Sequence, residues 1–230
     1  MRIIPVLDLK GGQVVRAQRG QRDLYRPIST PLAATSEPVD VARGLRTLHP
    51  FGTFYCADLD AIEGRPRNAA ALSALCAMQN PPTLWLDAGV NDTSRIETIL
   101  QQPRQHAVIG SESQQNEGML SAYRNHPHVL LSLDYFAEGF RGPRAILNQT
   151  ELWPARIIVM TLARVGAAAG PDFDRLAAIK ARAGSREIIA AGGIRNEGDL
   201  RTLAGMGIHA ALVATSLHDG TLTQDQLAAL

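Results

Sequence analysis

Arg2-Ile3-Ile4-Pro5-Val6-Leu7-Asp8-Leu9-Lys10-Gly11-Gly12 opens the chain with an apolar run broken only by Pro5, then a carboxylate, then two glycines. An apolar run closed by a turn signal reads as a buried strand. The pattern returns in Val129-Leu130-Leu131-Ser132-Leu133-Asp134, about half the chain later. Two buried strands, each delivering an Asp at its end, point to paired carboxylates facing one pocket. A strand-ending Asp also serves simply to start a loop or cap a helix, so the rest of the chain has to decide.

Working outward from that strand, Gln13-Val14-Val15-Arg16-Ala17 continues extended and runs into the polar, cationic loop from Gln18 to Pro27. A solvated loop and a substrate-covering loop both fit four arginines (Arg16, Arg19, Arg22, Arg26) beside an anion site. Beyond it the spacing predicts helix and strand in alternation. Helices are expected over Val39–Leu48, Asn68–Met78, Thr93–Leu100, Gly118–Asn125, Asp172–Ala183 and Glu197–Gly205. The strands expected are Phe51–Asp60, Thr83–Asp87, His106–Gly110, Val129–Asp134, Arg156–Thr161, Glu187–Ala191 and His209–Ala214. These strands are continuously apolar rather than alternating, which is how parallel strands covered by helices on their outer face read. About eight such units, with no Pro/Ser-rich linker between them, suggest an α/β fold and a single (β/α)8 barrel over residues 1–230. A doubly wound open sheet is the alternative, but no Gly-x-Gly-x-x-Gly follows the first strand.

The chain also repeats itself. Gly89-Val90 matches Gly193-Ile194, and Ala107-Val108-Ile109-Gly110-Ser111 matches Ala211-Leu212-Val213-Ala214-Thr215, both at an offset of 104 residues. With the Asp8/Asp134 echo, this suggests two half-barrels of one plan.

Composition narrows the function. With 230 residues, 45% hydrophobic, 20% charged and a net charge of +1, the chain gives no electrostatic case for nucleic acid or membrane as partner. Any anion must be held by local geometry. Cys56 and Cys76 lie in a strand and a helix and read as free thiols; no His cluster accompanies them, so no metal is expected. The first residues form a strand rather than a leader, and no apolar run spans a bilayer, so the cytoplasm is expected.

In a barrel the C-terminal strand ends build the site, which would put Asp8 and Asp134 across the mouth from each other as a base and acid pair. Strand ends carrying glycines and small hydroxyls suit phosphate, through bare backbone N–H groups. Gly192, Gly193, Thr215 and Ser216 make one such cluster; Gly89, Gly110 and Ser111 make its counterpart. Arg16, Arg19, Thr161 and Arg164 join the candidate substrate-binding set. Tight turns alone also account for the glycines.

The chain resembles the isomerase and cyclase barrels of histidine biosynthesis, the isomerase more closely. The residues that carry the likeness are Ile4-Pro5-Val6-Leu7-Asp8-Leu9, Val14-Val15-Arg16, Gln18-Arg19-Gly20 and Asp58-Leu59-Asp60-Ala61. Further along they are Val108-Ile109-Gly110-Ser111, Leu131-Ser132-Leu133-Asp134, Gly170-Pro171-Asp172-Phe173 and Ala191-Gly192-Gly193-Ile194. The resemblance covers essentially the whole chain. It implies an Amadori-type isomerase of a phosphorylated small molecule, with Asp8 and Asp134 at the catalytic carboxylates and no cofactor; oligomeric state stays open, a monomer included. The chain departs from the family in several places. Asp87-Ala88-Gly89-Val90-Asn91 replaces a triple-glycine turn followed by an apolar residue and Arg. Met160 stands at the family's catalytic Thr, with Thr161 beside it; Thr161 and Val165-Gly166 stand at acidic and Asp-Gly positions. Gly142-Pro143 stands for a Gly-Trp element, and Ala214 for a glycine. A paralogue carrying out a lyase or condensation step in a cofactor pathway, and a non-catalytic phosphometabolite binder, are the other readings.

Overall fold

The computed structural model describes residues 1–167 and 169–229. Eight strands run parallel around a closed barrel: β1 (Arg2–Lys10), β2 (Thr53–Asp58), β3 (Thr83–Asp87), β4 (Gln105–Gly110), β5 (Val129–Phe136), β6 (Arg156–Thr161), β7 (Glu187–Ala191) and β8 (Ala210–Val213). Closure is made by β1, which pairs β8 from Arg2↔Ala210 to Pro5↔Val213 and β2 from Val6↔Tyr55 to Leu9↔Asp58. This excludes the open doubly wound sheet.

Strand geometry sorts the side chains. Ile4, Tyr55, Trp85, Val108, Leu130, Ile158, Ile189 and Leu212 pack together inside the barrel, while their alternate neighbours, such as Leu7, Phe54, Leu86, Ile109, Leu131 and Ile157, pack under the helices. Both sets are apolar, which is why no alternation shows in the sequence. At the N-terminal end the Trp85 ring is flanked by the guanidinium groups of Arg2 (5.9 Å) and Arg156 (5.6 Å). Continuing the inward parity towards the other end gives Asp8, Asp87, Gly110 and Asp134, so the polar lumen positions gather at the C-terminal mouth.

The helices follow the expected spacing with trimmed ends. Pro38–Leu48 starts with Pro38 in its first turn and buries Val41, Ala42 and Leu45 on one face. Asn68 precedes a helix that covers Ala69–Cys76. The expected strand to Asp60 stops at Asp58, and Leu59–Ile62 turns into a short helix instead. The reason is Asp58, fully buried, which accepts hydrogen bonds from Ala61 N (3.2 Å), Asn68 N (2.9 Å) and Asn68 Nδ2 (2.7 Å). A carboxylate so bonded caps the turn.

As expected, Gln13–Arg16 is extended and pairs back on β1; the cationic loop that follows it returns through the short strand Arg26–Pro27, which pairs with Gln13–Arg16 and closes a hairpin. A second hairpin is made by Gly139–Arg141, which pairs back on β5. The two are equivalent. Asp8 faces Val15 and Asp134 faces Arg141, each seven residues on. Since β1 and β5 lie half a barrel apart, this pairing gives the internal repeat a structural counterpart.

Candidate active site

A cavity of about 440 Å³ opens at the C-terminal mouth, and Asp8, Asp87, Asp134 and Glu112 all line it, with Arg22, Tyr25 and Tyr55 beside them. Asp8 comes from β1 and Asp134 from β5, so they approach the cavity from opposite sides. Asp134 is 3% exposed; Ser132 Oγ donates to its Oδ1 (2.6 Å) and Glu112 N to its Oδ2 (3.1 Å). Ser111 Oγ accepts from Asp134 N (2.9 Å) and reaches Arg141 O at 2.8 Å. Ser111 therefore ties β4, β5 and the second hairpin together, and fixes where Asp134 sits.

Asp87 stands next to Asp134. Nothing but the bare Gly110 separates them: a Cβ there would lie 3.3 Å from Oδ2 of both carboxylates. Tyr55 donates its hydroxyl to Asp87 Oδ2 (3.1 Å). Burial pushes Asp87 up to about 6, with the Glu112 charge adding to it. Burial likewise raises Asp134 to about 8, reinforced by Asp87 and Glu112. Asp8 is half-buried, with its carboxyl inside the mouth; burial takes it to about 7, held back by Arg22 and pushed further by Asp87. The order follows from the neighbours: Asp8 has a cation nearby, while Asp134 has two carboxylates and none. Near neutral pH Asp134 holds its proton while Asp8 divides between its two forms, as an acid and a base require.

The opposite wall, from β7 and β8, is different. Gly192 and Gly193 have φ of +100° and +85°, and a Cβ on either would meet backbone: Thr161 O at 2.4 Å or Gly170 O at 2.3 Å. Only glycine fits there, and the bare backbone lines the cavity beside Thr215 and Ser216. Ser216 is 3% exposed, and its Oγ finds no hydrogen-bond partner among the described residues. Arg16 reaches this side through Asp219 (3.0 Å), and Arg195 is held on Asp199 by two bonds of 2.9 and 2.8 Å.

The other candidates from the sequence lie off the cavity. Gly89 (φ +60°) packs against the backbone of Ile62, and Ser111 is fully buried. Thr161 takes the outward parity of β6 and is buried, Met160 taking the inward position. Arg164 donates to the carbonyls of Ala169, Gly170 and Pro171 and so staples its own loop, of which residue 168 lies outside the described residues. Arg19 is exposed, and its backbone N–H bonds Val165 O (2.8 Å), joining the first hairpin to the β6 loop. Four cavity residues were not singled out from sequence. Arg22, ion-paired with Glu112, was seen only as part of a cationic loop. Tyr55 hid among apolar neighbours, and Tyr25 inside the polar loop. Glu112 follows Ser111 directly, and no spacing marked it.

A closed parallel barrel whose mouth presents buried carboxylates from opposed strands to one cavity has the arrangement that acid–base chemistry requires. The chain belongs to the histidine biosynthesis protein family, whose model matches residues 2–223. It is similar to isomerases acting on an imidazole-4-carboxamide that carries two phosphoribosyl groups. One, from Myxococcus xanthus, is 27% identical over 98% of this chain and 97% of the relative. Another, from Cereibacter sphaeroides, is 30% identical over 98% of this chain and 97% of the relative. An uncharacterized protein of Methanocaldococcus jannaschii is 25% identical over 99% of this chain and 97% of its own length. Among the described residues no helix is long and apolar enough to cross a membrane.

Proposed function

We propose that this protein is an isomerase of the Amadori type, converting a phosphoribosyl-bearing aminoaldose into the corresponding aminoketose. The observation that carries this is the single cavity shared by Asp8 and Asp134 on one side and the Gly192–Gly193 and Thr215–Ser216 cradle on the other.

The ribose phosphate sits in the cradle, against backbone N–H groups and the Ser216 hydroxyl, with Arg16 and Arg195 adding positive charge. Anchored there, the sugar places its C1 and C2 between the two carboxyls. Asp134 delivers its proton to the ring oxygen as the C1–O bond breaks and a C1=N bond forms. Asp8 takes the C2 proton; the C–H electron pair makes C1=C2 and returns the C=N pair to nitrogen. The enaminol then collapses to the ketone as Asp8 returns its proton to C1 and the C2 hydroxyl proton passes to Asp134, so both carboxyls are restored and the net change is isomerisation alone. Burial serves both residues: it keeps Asp134 protonated and makes Asp8 a stronger base than a solvated carboxylate. The two free cysteines support a reducing compartment, which favours the cytoplasm.

The test is turnover of a panel of N-(5-phosphoribosyl)amines, carrying one phosphate or two, by wild type, Asp8→Asn and Asp134→Asn. Wild type should turn over at least one, and each variant should lose about 10²–10⁴-fold, mostly in kcat. No turnover of any compound, or unimpaired variants, ends this reading.

A further inference from the structure

The two poles of the cavity differ in charge, and the difference bears on what the substrate carries at its far end. At the β7–β8 pole stand glycines that no other residue can replace and a buried, unpartnered serine hydroxyl. That oxygen stands ready to bond a ligand, and doing so would relieve the free-energy cost of a buried hydroxyl without a partner. At the opposite pole, Asp87, Asp134 and Glu112 crowd together with Asp8 across the mouth. One cation, Arg22, enters that crowd, and it is already ion-paired with Glu112. The other cavity-lining cations, Arg16 and Arg195, belong to the cradle side, where each is matched by one carboxylate, Asp219 and Asp199, so that charge there balances. A phosphate brought to the β3–β4 pole would meet the Asp87 carboxylate where, among the described residues, carboxylates outnumber the one cation, a like-charge contact that burial strengthens.

Resting on the isomerase reading, we propose that the substrate carries a single phosphate, seated in the Gly192–Gly193 and Ser216 cradle, and presents an amine or hydroxyl to Asp87 at the other end. Asp87 is the specificity-determining residue. Tyr55 occupies Oδ2 from one direction and holds the carboxylate still. Gly89 N reaches Oδ1 (3.3 Å); Asp87 lines the cavity, and the capacity left on its two oxygens can accept from a donor on the ligand but repels a second phosphate. Gly110 completes the pole, because any side chain there would fill the space between Asp87 and Asp134.

The experiment is calorimetric binding to the intact protein near neutral pH, with three probes: ribose 5-phosphate, the bis-phosphoribosyl imidazole-carboxamide that the relatives isomerise, and an analogue of it ending in an aminoalkyl group in place of the second phosphate. Wild type should bind ribose 5-phosphate at one site per chain and prefer the amine-ended analogue over the bisphosphate by about tenfold or more. Asp87→Asn keeps the shape and removes the charge, so that preference should collapse or reverse while ribose 5-phosphate affinity stays the same. A wild-type preference for the bisphosphate, or a preference that Asp87→Asn leaves unchanged, overturns the proposal and spares the isomerase reading. Failure of ribose 5-phosphate to bind the folded protein overturns the cradle, and both readings with it. Should Asp87→Asn not fold, the wild-type order of affinities decides alone.

Discussion

Replacing Asp134 with Asn should make the protein more stable and nearly inactive at once. The carboxyl is 3% exposed and its pKa is lifted from 3.8 to about 8, first by burial and then by Asp87 and Glu112. Below about pH 4 it is protonated in both the folded and the unfolded chain, so wild type and variant should unfold alike. Between about pH 4 and 8 the unfolded chain releases this proton and the folded chain keeps it, so wild type loses stability steadily. Above about pH 8 both states are ionised and the loss is constant. At about 1.4 kcal/mol per pH unit the full displacement amounts to ~6 kcal/mol. Water admitted through the open mouth screens the charge and brings the expected gain to about 3 kcal/mol. Asn carries no such ionisation and keeps a carbonyl to accept from Ser132 or Glu112. For a chain of this size about 2–4 °C accompany each kcal/mol, so Asp134→Asn should melt about 6–12 °C above wild type at pH 8.5. Thermal unfolding followed by circular dichroism from pH 4 to 9 measures the gap directly. A gap that does not grow with pH, or a wild type that is the more stable protein at pH 8.5, refutes the assignment of Asp134 as a buried proton-holding group.

Other outcomes follow from the same geometry. The kcat/KM profile should be bell-shaped, rising through a pKa of about 7 for Asp8 and falling through about 8 for Asp134, with Asp134→Asn losing the alkaline limb; a flat profile across that window contradicts the roles. Arg22→Met removes the cation that holds Asp8 down, so the acid limb should move to higher pH; a downward shift argues against the pairing. Gly193→Ala forces a Cβ to 2.3 Å from Gly170 O at a positive φ, which should cost about 1–3 kcal/mol in chemical denaturation and weaken binding of ribose 5-phosphate; unchanged binding would remove the cradle from the substrate site. Ser111→Ala orphans Asp134 N and Arg141 O, and should cost about 1–3 kcal/mol of stability with kcat falling more than KM rises; a change confined to KM would give Ser111 a binding role instead.

The barrel was legible because continuous apolar strands cannot be solvated on either face, and only a sheet covered by helices and filled inside hides them. Asp8 and Asp134 were legible for a related reason: a carboxylate at the end of such a strand must surface at a rim. Ser111 was harder. Its hydroxyl meets Asp134 N on β5 and Arg141 O on the hairpin beyond it, partners more than twenty residues away that no spacing from Ser111 announced. Arg164 looked like an anion ligand by charge and place, yet the path of its own loop offers it three carbonyls. Glu112 and Tyr55 matter through partners distant in sequence, Arg22 and Asp87, which no local spacing announces. Asp87 was visible as a departure from the family pattern; that it touches Tyr55 and neighbours Asp134 was not.

The matched hairpins on β1 and β5 have a consequence for how such a protein can change. Each half supplies one carboxylate and one hairpin, so the two halves can diverge separately. Under the proposed reading the β7–β8 wall holds the sugar phosphate, and the matching β3–β4 wall is free to take another duty. Asp87 in place of a glycine is such a reassignment, made without disturbing the proton-transfer pair. A library confined to residues 87–91 and 110–112 would therefore explore new chemical tastes on an anchored ligand, the anchor and the catalytic strand of β1 staying as they are.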